Sequence, residues 1–456
     1  MKLIFDVSDK PKAGQLVVFA LQQMLAILAA TIAVPLIIGK GLTPAAAMFG
    51  AGVGTIVYIL FTKRKSPVFL GSSFAFLGSM AAAFAGGVSM QLGMLGLIVG
   101  AFLAGLVYVV IAIVVKFVGV GWLNKLMPAV VIGPTVAIIG LSLAGNAIGD
   151  LVKGDVTKQV TEYAVSTDSG TPEIIETVSN VPVGSSYVAL ICGLITLAVV
   201  MLCSTYGKKT LRLIPFIIGI LAGYAAAAIF TVIGNICDID ALKIVDFSVF
   251  SSYMLTDGSV SLKTFVSLPD FAFVSGLKGL KEFDFSYFAT IFVAYVPVAL
   301  VVFAEHVADH KNLSSIIDHD LLEEPGLTRT LLGDGVGSIA GALFGGCPNT
   351  TYGESVACVA ITGNASVVTI FAAAIGCMLF SFITPLVAFV DSIPACVMGG
   401  VCIALYGFIA VSGLKMIQDA NLDDNRNLFV VSVILIAGIG GLTLTFGDIT
   451  LTEVAA

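Results

Sequence analysis

Apolar residues in this chain come in runs of about 20, long enough to cross a bilayer core as helices, and polar positions collect between the runs. Such runs fall near 15–38, 44–62, 67–85, 91–115, 127–149, 186–203, 211–234, 286–308, 331–345, 354–363, 366–390, 394–413 and 427–446. The third, ninth and tenth are short or interrupted by Gly and Pro. Gly345-Gly-Cys-Pro-Asn-Thr-Thr-Tyr-Gly-Glu354 is the clearest interruption. Its first half opposes helix, because Gly costs about 1 kcal/mol and Pro about 3 in a helix interior. The apolar run beginning at Glu354 then reads as a half-helix. Irregular backbone at membrane depth is tolerated only where it lines a cavity or is buried in protein. Glu354 therefore reads as a functional group, against the plainer alternative of a solvated loop residue.

Two short patterns recur about seven spans apart. Met127-Pro-Ala-Val-Val-Ile-Gly133 returns as Ile393-Pro-Ala-Cys-Val-Met-Gly399, and Ser72-Ser-Phe-Ala75 returns as Thr350-Thr-Tyr-Gly353. An odd offset inverts the second copy, which is the plan of many secondary transporters with broken helices meeting near the midplane. The predicted fold is an all-α polytopic membrane protein with 13–14 transmembrane segments in two inverted seven-span repeats, broken at spans 3 and 10.

Composition agrees. The chain is 58 % hydrophobic and 11 % charged, against about 25 % charged in soluble domains. A net charge of −7 gives no reason to expect nucleic acid. Eight Cys without a CxxC pair read as small core residues, so neither a disulfide framework nor a metal site is expected. No cleavable leader is expected, since the run to Ile38 reads as a first span. With a cytoplasmic N-terminus, fifteen Lys and Arg lie inside, among them Lys2, Lys10, Lys12, Lys63, Arg64, Lys65, Lys125 and Lys209; Lys40, Lys153, Lys158, Lys243, Lys263, Lys278 and Lys281 lie outside. That bias sets a multi-pass protein of the cell (cytoplasmic) membrane, with polar loops near 150–185 and 235–285 outside.

Acids inside apolar helices are costly and mark function. Glu305, His306, Asp309 and His310 follow the apolar run from Phe288. Glu305 and Asp309 share one helix face. Glu305 reads as functional, Asp309 is open to either reading, and His310 reads as a solvated helix end. Half-helix N-termini at Phe74 and Gly353 would offer N–H donors. Together with the carboxylates and the rings of Phe74 and Tyr352, they suit a planar heterocycle carrying N–H and C=O, though both rings also fit as packing residues. No nucleophile–base set suggests an enzyme.

The stretches Ala20–Pro35, Leu70-Gly-Ser-Ser-Phe-Ala-Phe76, Ala304-Glu-His306 and Pro348-Asn-Thr-Thr-Tyr-Gly-Glu354 resemble the nucleobase–ascorbate transporter family, in particular its bacterial uracil permease branch, whose members are proton symporters. The resemblance implies a core domain (1–120 and 286–390; spans 1–4 and 8–11) and a gate domain (121–235 and 391–456; spans 5–7 and 12 onward). Between them lies an extracellular loop at 236–285. It implies uptake of uracil with a proton by alternating access, a homodimer, and no cofactor beyond the proton. A purine or xanthine symporter is the alternative, and an anion exchanger or channel on the same fold a more distant one. It also implies substrate binding by Glu305 and Glu354, by the amides of Phe74 and Gly353, and by pocket positions Ala30 and Tyr352. Proton coupling would fall to Glu305, Asp309 and His306. Three positions depart from the pattern. Gln23 replaces a frequent His, Asp309 replaces a His linked to coupling, and the chain stops at Ala456 where a fourteenth span would begin.

Overall fold

The structure is a computed structural model. It describes residues 3–119, 121, 128–166, 173–208, 210–254, 259–418, 420–440, 442, 444–446 and 449–451. Lys2, Lys125, Met127, Lys209 and the C-terminal stretch ending at Ala456 lie outside the described residues.

Helices dominate. The first half contains α1 (Ala13–Ile38), α2 (Pro44–Phe61), strand β1 (Leu70–Ser72), α3 (Leu77–Ala82), α4 (Met90–Val118), α5 (Ala129–Ser142) and α6 (Ala144–Leu151). A hairpin of β2 (Thr157–Ser166) and β3 (Glu173–Pro182) follows, then α7 (Ser186–Tyr206) and α8 (Pro215–Cys237). The second half contains α9 (Phe285–Ile317), α10 (Leu327–Gly345), β4 (Asn349–Thr351), α11 (Gly353–Thr362), α12 (Val367–Phe380), α13 (Thr384–Asp391), α14 (Ala395–Ile417) and α15 (Asn425–Ile439). The short pair β5 (Leu444–Phe446) and β6 (Ile449–Leu451) comes last. Among the described residues, eight helices are long and apolar enough to cross a membrane.

Three segments differ from the sequence expectation. The run 286–308 becomes a 33-residue helix to Ile317, about 50 Å long at 1.5 Å per residue. No Gly or Pro interrupts its polar end, and it stops only where Asp318 turns left-handed (φ 55°). The run 366–390 is divided into α12 and α13, with Pro385 in the first turn of the second piece, where its missing N–H costs nothing. The run 427–446 ends as helix at Ile439, and its remainder enters the β5–β6 pair. The loop at 235–285 is also built into the molecule. The short helix Ala272–Gly276 packs on α4, and Phe271 joins an aromatic cluster with Phe49 and Phe344.

The helices pack in two sets. In one, α1, α2, α4, α9, α10 and α12 contact one another; in the other, α5–α8, α14 and α15 do. The tightest contact in the first set joins α2 to α10. A Cβ at Gly54 would meet the Gly337 carbonyl oxygen at 2.7 Å, so only glycine lets these backbones approach so closely. The N-terminal segment is strapped to the α11–α12 connection. The amides of Ile4 and Phe5 donate to Gly363 O (2.7 and 3.2 Å), and Ala365 N donates to Phe5 O (2.9 Å).

Candidate functional site

Two broken segments meet inside the first helix set. Gly345, Gly346 (φ 71°) and Pro348 stop α10, and the next residues extend. β4 pairs antiparallel with β1, with Leu70 opposite Thr351, Gly71 opposite Thr350 and Ser72 opposite Asn349. The pairing is extended by Ser73 N to Pro348 O (2.9 Å) and Tyr352 N to Phe69 O (3.2 Å). The strands thus satisfy each other's backbone groups away from water. Each strand then enters a helix start, a 3₁₀ turn over Phe74–Phe76 leading to α3, and α11 from Gly353. The amides of Phe74, Ala75 and Gly353 have no hydrogen-bond partner among the described residues. Helix starts present such donors to a carbonyl oxygen or an anion.

The side chains differ between the two starts. Phe74 is buried, and its ring meets that of Tyr406 from α14 edge-on at 5.5 Å. Tyr406 belongs to the other helix set and escaped the sequence reading, because nothing local separates it from other aromatics of an apolar helix. Tyr352 is buried as well. Its hydroxyl donates to Ser72 O (2.8 Å) and its ring occupies the space beside Gly71, so this residue clamps the strand pair. Ala30 on α1 is fully buried. Gly353 is exposed, and a Cβ built there meets only Asp309 Oδ1 at 3.8 Å.

Asp309 faces this opening. Its Oδ2 accepts the Thr351 hydroxyl at 2.9 Å. Glu305 lies one turn earlier on α9, half-buried, with no hydrogen-bond partner among the described residues. Glu354 is half-buried at the start of α11 and lies within the electrostatic reach of Glu305 and Asp309. The structure therefore gathers Glu305, Asp309, Glu354 and Gly353 around one opening. Gln23 braces it from behind, donating to the Ser355 hydroxyl, which also accepts Phe69 N (3.0 Å).

His306 points the other way, into the helix packing. Its Nδ1 lies 2.7 Å from Asp334 Oδ2 on α10, and both residues are fully buried. Its Nε2 lies 3.1 Å from Thr330 Oγ1, whose own proton goes to Leu327 O. His306 is thus held by a hydrogen bond at each ring nitrogen. His310 is not the solvated helix end expected from sequence. It is fully buried, with Nδ1 on His306 O (2.7 Å) and Nε2 on Tyr58 Oη (2.6 Å). Tyr58 also contacts Ser66 (2.7 Å). The sequence reading missed Asp334, although an acid within a glycine-rich apolar helix is a usable signal. Among the described residues, no group of three or more His, Cys, Asp or Glu is placed to hold a metal.

A polytopic helical protein whose two interrupted segments meet around such an opening has the architecture of a membrane transporter rather than an enzyme. The family described as "Permease family" (Xan_ur_permease) matches residues 14–179 and 169–446. The uracil permease of Bacillus caldolyticus is 36 % identical over 451 residues, covering 98 % of this chain and 90 % of that protein. The uracil permease of Escherichia coli (strain K12) is 33 % identical, covering 98 % and 90 %. The chain belongs to this permease family, the nucleobase–ascorbate transporters, in its bacterial uracil permease branch. Among solved structures, the transmembrane domain of the cyanobacterium bicarbonate transporter BicA matches with a TM-score of 0.62 at 13 % identity, covering 95 % of this chain and 98 % of that one. SLC26A9 matches at 0.58 and 12 %, covering 94 % and 63 %. These two likenesses concern the fold alone.

Proposed function

We propose that this protein imports uracil with protons across the cytoplasmic membrane by alternating access, its N-terminus in the cytoplasm. The observation that carries the reading is the site itself: unpaired amides at Phe74 and Gly353 beside the carboxylates Glu305 and Glu354. Uracil carries two N–H donors and two carbonyl acceptors. The carboxylates accept from its N–H groups, the two amides donate to its carbonyls, and Ala30 and Tyr352 shape the wall. The names of the full-length relatives support uracil as the base. Three acids around one opening (Glu305, Asp309 and Glu354) disfavour a bare anion as cargo.

The coupling proton resides among Glu305, Asp309 and Glu354, because neighbouring carboxylates resist carrying full charge together. His306 supports them through its buried hydrogen bond with Asp334. The first helix set acts as the core and the second as the gate, in a homodimer. Labelled uracil, xanthine and adenine offered to proteoliposomes, with and without an inward proton gradient, test the whole reading. Uracil accumulation that needs the gradient is the expected result. Preference for xanthine would transfer the site to purines, and gradient-independent uptake would remove the coupling.

A further inference from the structure

A second cavity lies away from the carboxylates, and nothing above uses it. It encloses about 370 Å³ between the two helix sets, within the size range of small-molecule sites. One wall is the end of α1 at Ile37 together with Leu77 and Gly78 of α3; the other is the bend between α5 and α6, with Ser142 and Asn146 on either side of it. Lys40 stands at the edge. In the proposed orientation this is the outer end of the molecule.

Its chemistry is the opposite of the central site's. No acid lines it. The Asn146 side chain has no hydrogen-bond partner among the described residues, and Lys40 has no ion pair there. The Ser142 hydroxyl makes only a long bond, 3.4 Å, to Ile139 O. Polar and apolar atoms share its surface about equally, and the exposed Lys40 and Asn146 leave polar groups free to orient a small ligand against the apolar side chains. The helix α3 that forms its wall starts one turn after the free Phe74 amide, and the buried Leu77 of its first turn lines the cavity.

We propose that this crevice is an outer staging site for the transported base, in which Asn146 pairs with its amide edge and Lys40 attracts its carbonyl oxygens. The proposal rests on the reading of the protein as a nucleobase importer. A base held here lies against Leu77 and Gly78 and enters the central site when the two helix sets separate at that point. Cations are discouraged at the mouth by Lys40, and the carboxylates beneath are met only after that step.

The test uses the full chain in proteoliposomes, with Cys203 and Cys237 changed to Ser and Asn146→Cys added. A membrane-impermeant, charged thiol reagent is applied from outside. Modification is expected to lower uracil uptake by about tenfold or more, the effect of losing one well-placed contact plus blocking the route. Before modification the variant shows the same rise in KM as Asn146→Ala, and the loss on modification is read against its own untreated rate. Saturating uracil slows the modification. The milder Asn146→Ala raises the KM for uptake about three- to tenfold with kcat unchanged, as expected for one hydrogen bond. Modification that proceeds at the same rate with and without uracil, and leaves uptake intact, overturns the staging site. If wild-type protein carries another base instead, the functional reading has failed separately, and the same labelling with that base decides the crevice.

Discussion

The two broken segments share a backbone and divide the chemistry. Aligned on their repeated tetrads, Phe74 corresponds to Tyr352, Ala75 to Gly353 and Phe76 to Glu354. Each strand is followed by a helix start with free amides. Yet at the last of these positions one copy places an aromatic ring and the other a carboxylate. Phe76 is buried and stacked on Tyr295 with ring centres 5.5 Å apart, whereas Glu354 borders the opening. Ala75 is buried and Gly353 is exposed. The first crossing is thus anchored in packing, and the second carries the charge and the access. A duplicated frame supplies symmetric donors, while asymmetric side chains put the acids on one side only.

Phe76→Ala tests the anchored copy and should have the largest effect. Removing a buried, stacked ring costs about 3–5 kcal/mol. Thermal unfolding in detergent should show a large loss of stability, and a near-wild-type midpoint would refute the anchoring role. Glu354→Gln tests the charged copy. It should leave stability nearly unchanged and weaken uracil binding by about ten- to a hundredfold, the worth of a charge-assisted hydrogen bond of roughly 1.5–3 kcal/mol. Calorimetric binding like wild type would place Glu354 outside the site and dissolve the contrast between the copies.

Asp309→Asn sharpens the comparison on the charged side. The Thr351 hydroxyl retains an acceptor in the Asn carbonyl, so uracil binding should change by less than about threefold. Concentrative uptake driven by a proton gradient should disappear while equilibrium exchange survives, and uptake should lose its dependence on pH. Normal accumulation across the pH range would remove Asp309 from coupling. Tyr352→Phe should have the smallest effect. It deletes only the hydroxyl donated to Ser72 O, about 1 kcal/mol of stability, measurable as a modest shift in the unfolding midpoint. A loss of binding as severe as that of Glu354→Gln would mean that the Tyr352 hydroxyl meets the base directly.

The crossings were legible from sequence because their cause is local. Gly345, Gly346 and Pro348 cannot continue a helix, and a broken run in a membrane protein must find partners for its backbone. That β1 is the partner of β4 has no local signature beyond the repeated tetrad. His310 was misread for a related reason. The polar run after Glu305 looks like the water-facing end of a span. Its actual environment is set by Tyr58 and Ser66, about 250 residues earlier in the chain. Asp334 stood out as an acid in an apolar helix, but its partner could not be read locally, because His306 arrives from another helix. The acids around the opening were found since each is an exception to its own surroundings. Thr351, which holds Asp309, is ordinary in its surroundings.

The β1–β4 pair also constrains how the protein is made. Strand β1 leaves the ribosome about 280 residues ahead of its partner β4. At a synthesis rate of about 5–20 residues per second, that is a wait of roughly 15–55 s. Throughout it, Leu70–Ser72 has no strand to pair with, at a depth where lipid offers no hydrogen bonds. The N-terminal strap waits longer still, since Ile4 and Phe5 bond to Gly363. Membrane insertion and folding of this chain are therefore separate events. The first half must be held in the bilayer in an incomplete state, by its own helices or by the insertion machinery, until the second half supplies the other strand.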